Sequence, residues 1–174
     1  MGIYDEGATK RILALILKFC LPNIHDKDCC YVDLKERIRK DGGNGSDFYE
    51  KVIDFDKIQE KLSNQQGKNI RGSIDIVFGI IVKDEIKIFL TEFKLKVKNP
   101  SNLRKNLKSK IRDTKNFFGK LWETRVNFNE IPVLVKREII GEQTRNIISR
   151  INQELKSAKF SVQTEKQFYN KYFK

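Results

Sequence analysis

The 174-residue chain has one histidine, one tryptophan, one methionine, three prolines and three cysteines, and no apolar run long enough to span a bilayer. With only His25 available, one zinc pattern can be drawn, Cys20-x4-His25-x3-Cys29-Cys30. It lacks paired C-x2-C spacing, and adjacent cysteines seldom both reach one ion, so the thiols read as ordinary, partly buried groups. An odd cysteine count without a secretory leader points to a reducing compartment, the cytoplasm. The start, MGIYDEGATKRILALILKFC, is acidic before it is apolar, which is not the pattern of a signal peptide, and Glu6 stands where myristoylation wants Ser or Thr. Repeats and linker-like stretches are absent, so residues 1–174 are expected to form a single domain.

Acidic residues are also in short supply. Against 35 Lys and Arg there are 23 Asp and Glu, a net charge of +12. Such an excess points to a polyanionic partner, usually nucleic acid, with a membrane surface as the other candidate. The hydrophobic share of 39% is that of a chain with a real core.

The pattern predicts an α/β order. Residues 5–20 are expected to be helical, with Ile12, Leu15, Ile16 and Phe19 inward and Pro22 as the stop. Val32–Lys40 reads as a short helix or a strand leading into one, and 41–47, DGGNGSD, as a loop. Residues 48–62 fit either a helix capped by Ser46 or Asp47 or a short strand at KVIDF; 63–69 reads as a polar loop. SIDIVFGIIV (73–82) and IKIFLTEFKLKV (86–97) form the strongest signal, an antiparallel hairpin. Ile74, Ile76, Phe78 and Ile80 fall on one face, and Val77, Ile81, Ile88 and Leu90 on the other, so helices should cover both faces. A long helix over 102–124, a strand over 131–140, a helix over 141–156, a strand near 160–162 and a terminal helical turn complete the order. Phe117, Phe118 and Trp122 read as core.

The hairpin also carries charge. With Asp84-Glu85 as its turn, cross-strand partners sum to 169, which sets Lys94 opposite Asp75 and Glu92 opposite Val77. All three charged groups then share a face, with Asp75 and Glu92 on a diagonal. Buried charge is costly unless paired or used. Two carboxylates suit Mg²⁺, a hard ion that takes oxygen ligands, and the Phe93 carbonyl lies between them in sequence. Lys94 would then orient water or stabilise charge on a phosphate. The plainer alternative is a strand end in which Asp75 merely pairs with Lys94, an arrangement worth little energetically.

Ile74-Asp75, sixteen intervening residues and Glu92-Phe93-Lys94 resemble the PD-(D/E)XK nuclease superfamily, as does the surrounding element order over about residues 50–140. The resemblance implies a restriction-endonuclease-like α/β/α sandwich with a central mixed sheet, here with extra N-terminal helices. It implies Mg²⁺-dependent hydrolysis of phosphodiesters, with Mn²⁺ as a substitute ion. Asp75 and Glu92 would be metal ligands and Lys94 the catalytic lysine. Ile74 stands where the family name has proline. Many such enzymes add an acid from an early helix; Glu6, Glu36 and Glu50 are the candidates, with Glu50 preferred as nearest the hairpin.

From Lys94 to Lys120 there are ten Lys and Arg and one acid, Asp113. Lys105, Lys108, Arg112 and Lys115 recur at helical spacing and, with Lys96, form a row suited to a phosphate backbone. DNA is favoured over RNA, and a homodimer is compatible. The competing readings are a nuclease fold that binds nucleic acid without turnover and a basic protein-interaction domain; a solvated charged face would look the same in sequence.

Overall fold

The computed structural model describes residues 3–22, 27–45, 48–67, 72–94, 103–121, 127–128, 133–136, 153 and 161–174. Helix α1 (Glu6–Cys20) begins at Asp5, whose carboxylate accepts the Ala8 N–H at 2.6 Å. A short 3-10 turn (Lys27–Cys30) leads into β1 (Tyr31–Asp33) and directly into α2 (Leu34–Lys40). Strand β2 (Lys51–Asp54) hands over to α3 (Phe55–Gln66) at Asp54, which accepts the Lys57 N–H at 3.2 Å. The strand alternative for KVIDF therefore holds for 51–54, and the helix-capping residue is Asp54, with Ser46 and Asp47 outside the described residues. Residues 63–66, expected in a loop, continue α3 until Gly67 closes it in the left-handed conformation (φ 59°). There an L side chain would be strained, while glycine is not.

The hairpin follows as β3 (Ile76–Val82) and β4 (Glu85–Phe93), then α4 (Leu103–Leu121), β5 (Val133–Lys136), β6 (Ser161–Thr164) and α5 (Glu165–Tyr172). The expected helix over 141–156 lies outside the described residues apart from Gln153, as do 95–97 at the end of the expected second hairpin strand and Trp122. The terminal turn is a full two-turn helix, opened by a capping box between Thr164 and Gln167.

The six strands pair in chain order. β1 to β4 are antiparallel, and β4–β5 and β5–β6 are parallel, so the sheet is mixed. Apolar clusters fill both faces. Ile76, Phe78, Ile80 and Phe89 pack with Leu34 and Ile38 of α2 and with Phe168 and Tyr172 of α5. Val77, Ile88 and Leu90 pack with Ile12 and Ile16 of α1, Ile58 of α3 and Phe118 of α4. Helices on both faces satisfy a hairpin that is apolar on both.

Three inward assignments differ. Ile74 joins the Val77 face, because the regular strand begins only at Ile76. Ile81 is exposed near the hairpin tip. In α1 the stripe is rotated: Leu13 and Leu17 are buried, whereas Phe19 is 57% exposed.

Gly79 sets the distance between α1 and the sheet. A Cβ there would lie 2.9 Å from the Ala8 carbonyl carbon and Cβ, and 3.0 Å from Ile12 Cδ1. The approach also lets the Gly79 N–H reach Thr9 Oγ1 at 3.0 Å and the Asp5 N–H reach the Gly79 carbonyl at 3.1 Å. Gly79→Ala is expected to cost ~1–3 kcal/mol by forcing α1 outward. A chemical-denaturation midpoint equal to that of the native chain would show that the helix can shift freely.

Candidate active site

The site lies at the end of the hairpin farthest from its turn. The turn is Lys83-Asp84, with φ of 51° and 63°, both positive as a type I′ turn requires. Val82 therefore pairs with Glu85 and Ile76 with Thr91, so partners sum to 167 and not 169. Moving the turn by one residue changes the sum by two, which preserves the faces. The charged groups stay together, but Asp75 now follows Ile76 to a place beside Glu92, not Lys94. β4 ends at Phe93, so Lys94 is just past the ladder.

Asp75 is 5% exposed and Glu92 fully buried. Asp75 Oδ2 accepts the Phe93 N–H at 2.6 Å, locking the acid to the backbone of the opposite strand. Lys94 pairs with Glu92 Oε1 and also reaches the Phe93 carbonyl at 3.3 Å. The three predicted residues thus come together, along with the predicted backbone oxygen.

Two cations absent from the sequence reading complete the cluster. Lys110 of α4 lies 2.7 Å from Glu92 Oε1 and 3.6 Å from Asp75 Oδ1. Arg37 of α2, almost fully buried, reaches Asp75 at 3.4 Å, Asp41 at 2.6 Å, Asp56 at 3.1 Å and Asp54 at 3.7 Å. Since α2 and α4 cover opposite faces, Asp75 receives cations from both sides of the sheet. Asp56 also accepts the Ser73 hydroxyl at 2.6 Å, and Thr114 of α4 accepts the Ile74 N–H at 3.2 Å. These bonds fix the chain on entry to Asp75. Lys110 and Thr114 had a signal: they fall on the same inner stripe as Leu107, Ile111 and Phe118. Arg37 carried the same signal, three residues after Leu34 and next to the inward Ile38.

Glu50 is not part of this cluster. Its carboxylate accepts the N–H of neighbouring Tyr49 at 3.1 Å, and it precedes the β2 end opposite Asp54. A strand side chain moves about 3.3 Å per residue, so β2 carries the chain from Glu50 to the site, where Asp54 and Asp56 stand instead. Glu6 pairs with Lys10 at 2.8 Å, and Glu36 is exposed on α2.

In the basic row, Lys108 and Arg112 are exposed, Lys115 sits 5.5 Å over the Phe128 ring, and Lys105 lies in α4. Lys96 is outside the described residues. Phe118 is buried, as a core residue should be. Cys29 and Cys30 are free thiols with sulfurs 3.4 Å apart.

Burial raises the Glu92 carboxyl to about 7, aided by the Asp75 charge and opposed by Lys94 and Lys110. Lys110 is lowered by burial, but the Glu92 and Asp75 charges outweigh this and raise it. Because the folded value of Glu92 lies above its ordinary 4.5, its favourable contribution is complete below 4.5 and is lost as pH rises through about 7. The gap corresponds to ~3 kcal/mol. Glu92→Gln is therefore expected to raise the melting temperature of metal-free protein at pH 8 and to lose that advantage by pH 5. A lower melting temperature at pH 8 would mean that the lysine pairs outweigh burial.

Glu92 Oε2 is buried without a hydrogen-bond partner. An orphaned carboxylate oxygen beside a second carboxylate fits a hard cation. Among the described residues, no group of three or more His, Cys, Asp or Glu is arranged to hold a metal ion. Asp41, Asp54 and Asp56 are drawn around Arg37, which Asp75 also touches, so the oxygens that could hold an ion are those of Asp75, Glu92 and the Phe93 carbonyl. No described helix is long and apolar enough to cross a membrane. Compared with family models, with curated proteins and with solved structures, the chain gives no match.

Proposed function

We propose that this chain is a divalent-metal-dependent nuclease of the PD-(D/E)XK type, with the restriction-endonuclease-like variant of the α/β fold and DNA as substrate. The observation that carries the reading is the convergence of Asp75, Glu92 and Lys94 at one end of the hairpin, with Glu92 Oε2 lacking a partner. Asp75, Glu92 and the Phe93 carbonyl would hold Mg²⁺, which when bound polarises a phosphodiester and acidifies a water.

The chain's own groups have separate tasks. The Phe93 N–H holds Asp75 Oδ2 and leaves Oδ1 to cations. Lys94, about a quarter exposed, can turn from Glu92 to an attacking water or a phosphate oxygen and offset the negative charge that develops there. Lys108 and Arg112, exposed on the helix that also carries Lys110, would be the contacts to a phosphate backbone.

A second reading has an observation of its own. Glu92 Oε1 already receives two ammonium groups, and Asp75 has Arg37, so the carboxylates are neutralised without a metal. This favours a nucleic-acid-binding module without turnover. Incubating plasmid and single-stranded DNA with Mg²⁺ or with chelator, beside Lys94→Ala, separates the two. Mg²⁺-dependent cleavage that the substitution removes supports the nuclease. Salt-sensitive binding without cleavage supports the module, and absence of both leaves the basic protein-interaction domain.

A further inference from the structure

Among the described residues, Lys110 is the one cation that pairs with both carboxylates. Its ammonium is 2.7 Å from Glu92 Oε1 and 3.6 Å from Asp75 Oδ1, whereas of the two acids Lys94 pairs with Glu92. It comes from α4, a separate element over one face of the sheet, and its side chain keeps 25% exposure, so it has a route to water. The other charges around it are Asp56 from α3, Arg37 from α2 and Lys94 after β4. Two buried carboxylates side by side repel, and one cation shared between them offsets this. A divalent ion bound to the same two carboxylates, Glu92 through its unpartnered Oε2, would offset it more strongly, and the two cations would repel each other across so short a span.

Resting on the nuclease reading, we propose that Lys110 is the resident counter-ion of the site and that the divalent cation loads by displacing its ammonium from Asp75 and Glu92. Lys110 is thus a positioning residue. It holds the two acids at the right spacing before the metal arrives, and it sets the ion concentration at which the site fills.

The test is calorimetric titration of Ca²⁺ into the full chain at pH 8.5, where protons compete little for Glu92, for the native protein, Lys110→Met and Lys110→Gln. Removing the competitor is expected to tighten Ca²⁺ binding by about tenfold, within the usual range for two ligands coupled at one site. Lys110→Met should also melt lower than the native chain without metal, and Lys110→Gln, which keeps a hydrogen-bond donor, should fall less. Unchanged or weaker Ca²⁺ binding by both variants, in a native chain that binds the ion and cuts DNA, would overturn the exchange and leave the nuclease standing. Tighter binding by the variants with no cleavage by any protein would keep the exchange and remove the nuclease. No Ca²⁺ binding by any of the three would remove both.

Discussion

Asp75→Asn and Lys94→Ala should each slow Mg²⁺-dependent DNA cleavage by about a thousandfold while leaving the fold intact. The asparagine oxygen can still accept the Phe93 N–H that Asp75 takes at 2.6 Å, so the strand ends stay joined. What is lost is a negative charge beside Glu92, and with it half of the carboxylate pair that would hold the ion. Lys94 is partly exposed, so truncating it removes its charge from Glu92 without opening a core cavity. Initial rates on supercoiled plasmid, with circular dichroism as the check on folding, give the result. Native-like cleavage by either variant would make that residue a structural ion-pair member, as in the plainer reading of the hairpin.

Arg37→Met is expected to have the largest effect on stability, a loss of ~3–5 kcal/mol at pH 8. The guanidinium is buried among Asp41, Asp54, Asp56 and Asp75, and methionine, which replaces only the aliphatic stem, leaves all four without it. Burial already raises Asp41 and Asp56 above their ordinary values, with Arg37 acting in the opposite direction on both. Without Arg37 they rise further. A carboxyl raised in the folded state favours folding at low pH and loses that contribution as pH climbs. The deficit of Arg37→Met should therefore shrink between pH 8 and pH 5, measured as the shift in urea midpoint. A variant as stable as the native chain at pH 8 would show that the aspartates find water or one another instead.

Much of the fold was legible because its signals are local. The apolar runs around KDE gave the hairpin, Pro22 and the glycine-rich stretch gave boundaries, and apolar residues on both faces called for helices on both. The errors are also local in cause. Lys83-Asp84 and Asp84-Glu85 both lack the Asn-Gly signature, so composition does not tell them apart; the mirror-type turn at Lys83-Asp84 is the one that matches the strand twist. Ser63, Asn64, Gln65 and Gln66 are polar and read as loop by composition, yet they extend α3 until the left-handed Gly67 ends it. Glu50 is nearest the hairpin in sequence, but nearness along the chain says little where β2 carries it away from Glu50 to Asp54 beside the site.

Alternation along the two runs, with a two-residue turn between them, put Asp75 and Glu92 on one face; Asp75 itself precedes the regular strand, and the Phe93 N–H that it accepts brings it beside Glu92. Sliding a two-residue turn along the chain by one position changes the partner sum by two and keeps the shared face, whereas a one-residue slip of register would have reversed it. Only the tertiary structure decided what surrounds them. Lys110 and Arg37 arrive on helices from opposite faces, and which helical residues reach a strand end depends on where each helix is packed. Gly79, Thr9 and the two apolar clusters fix that packing, and no period in the sequence records it.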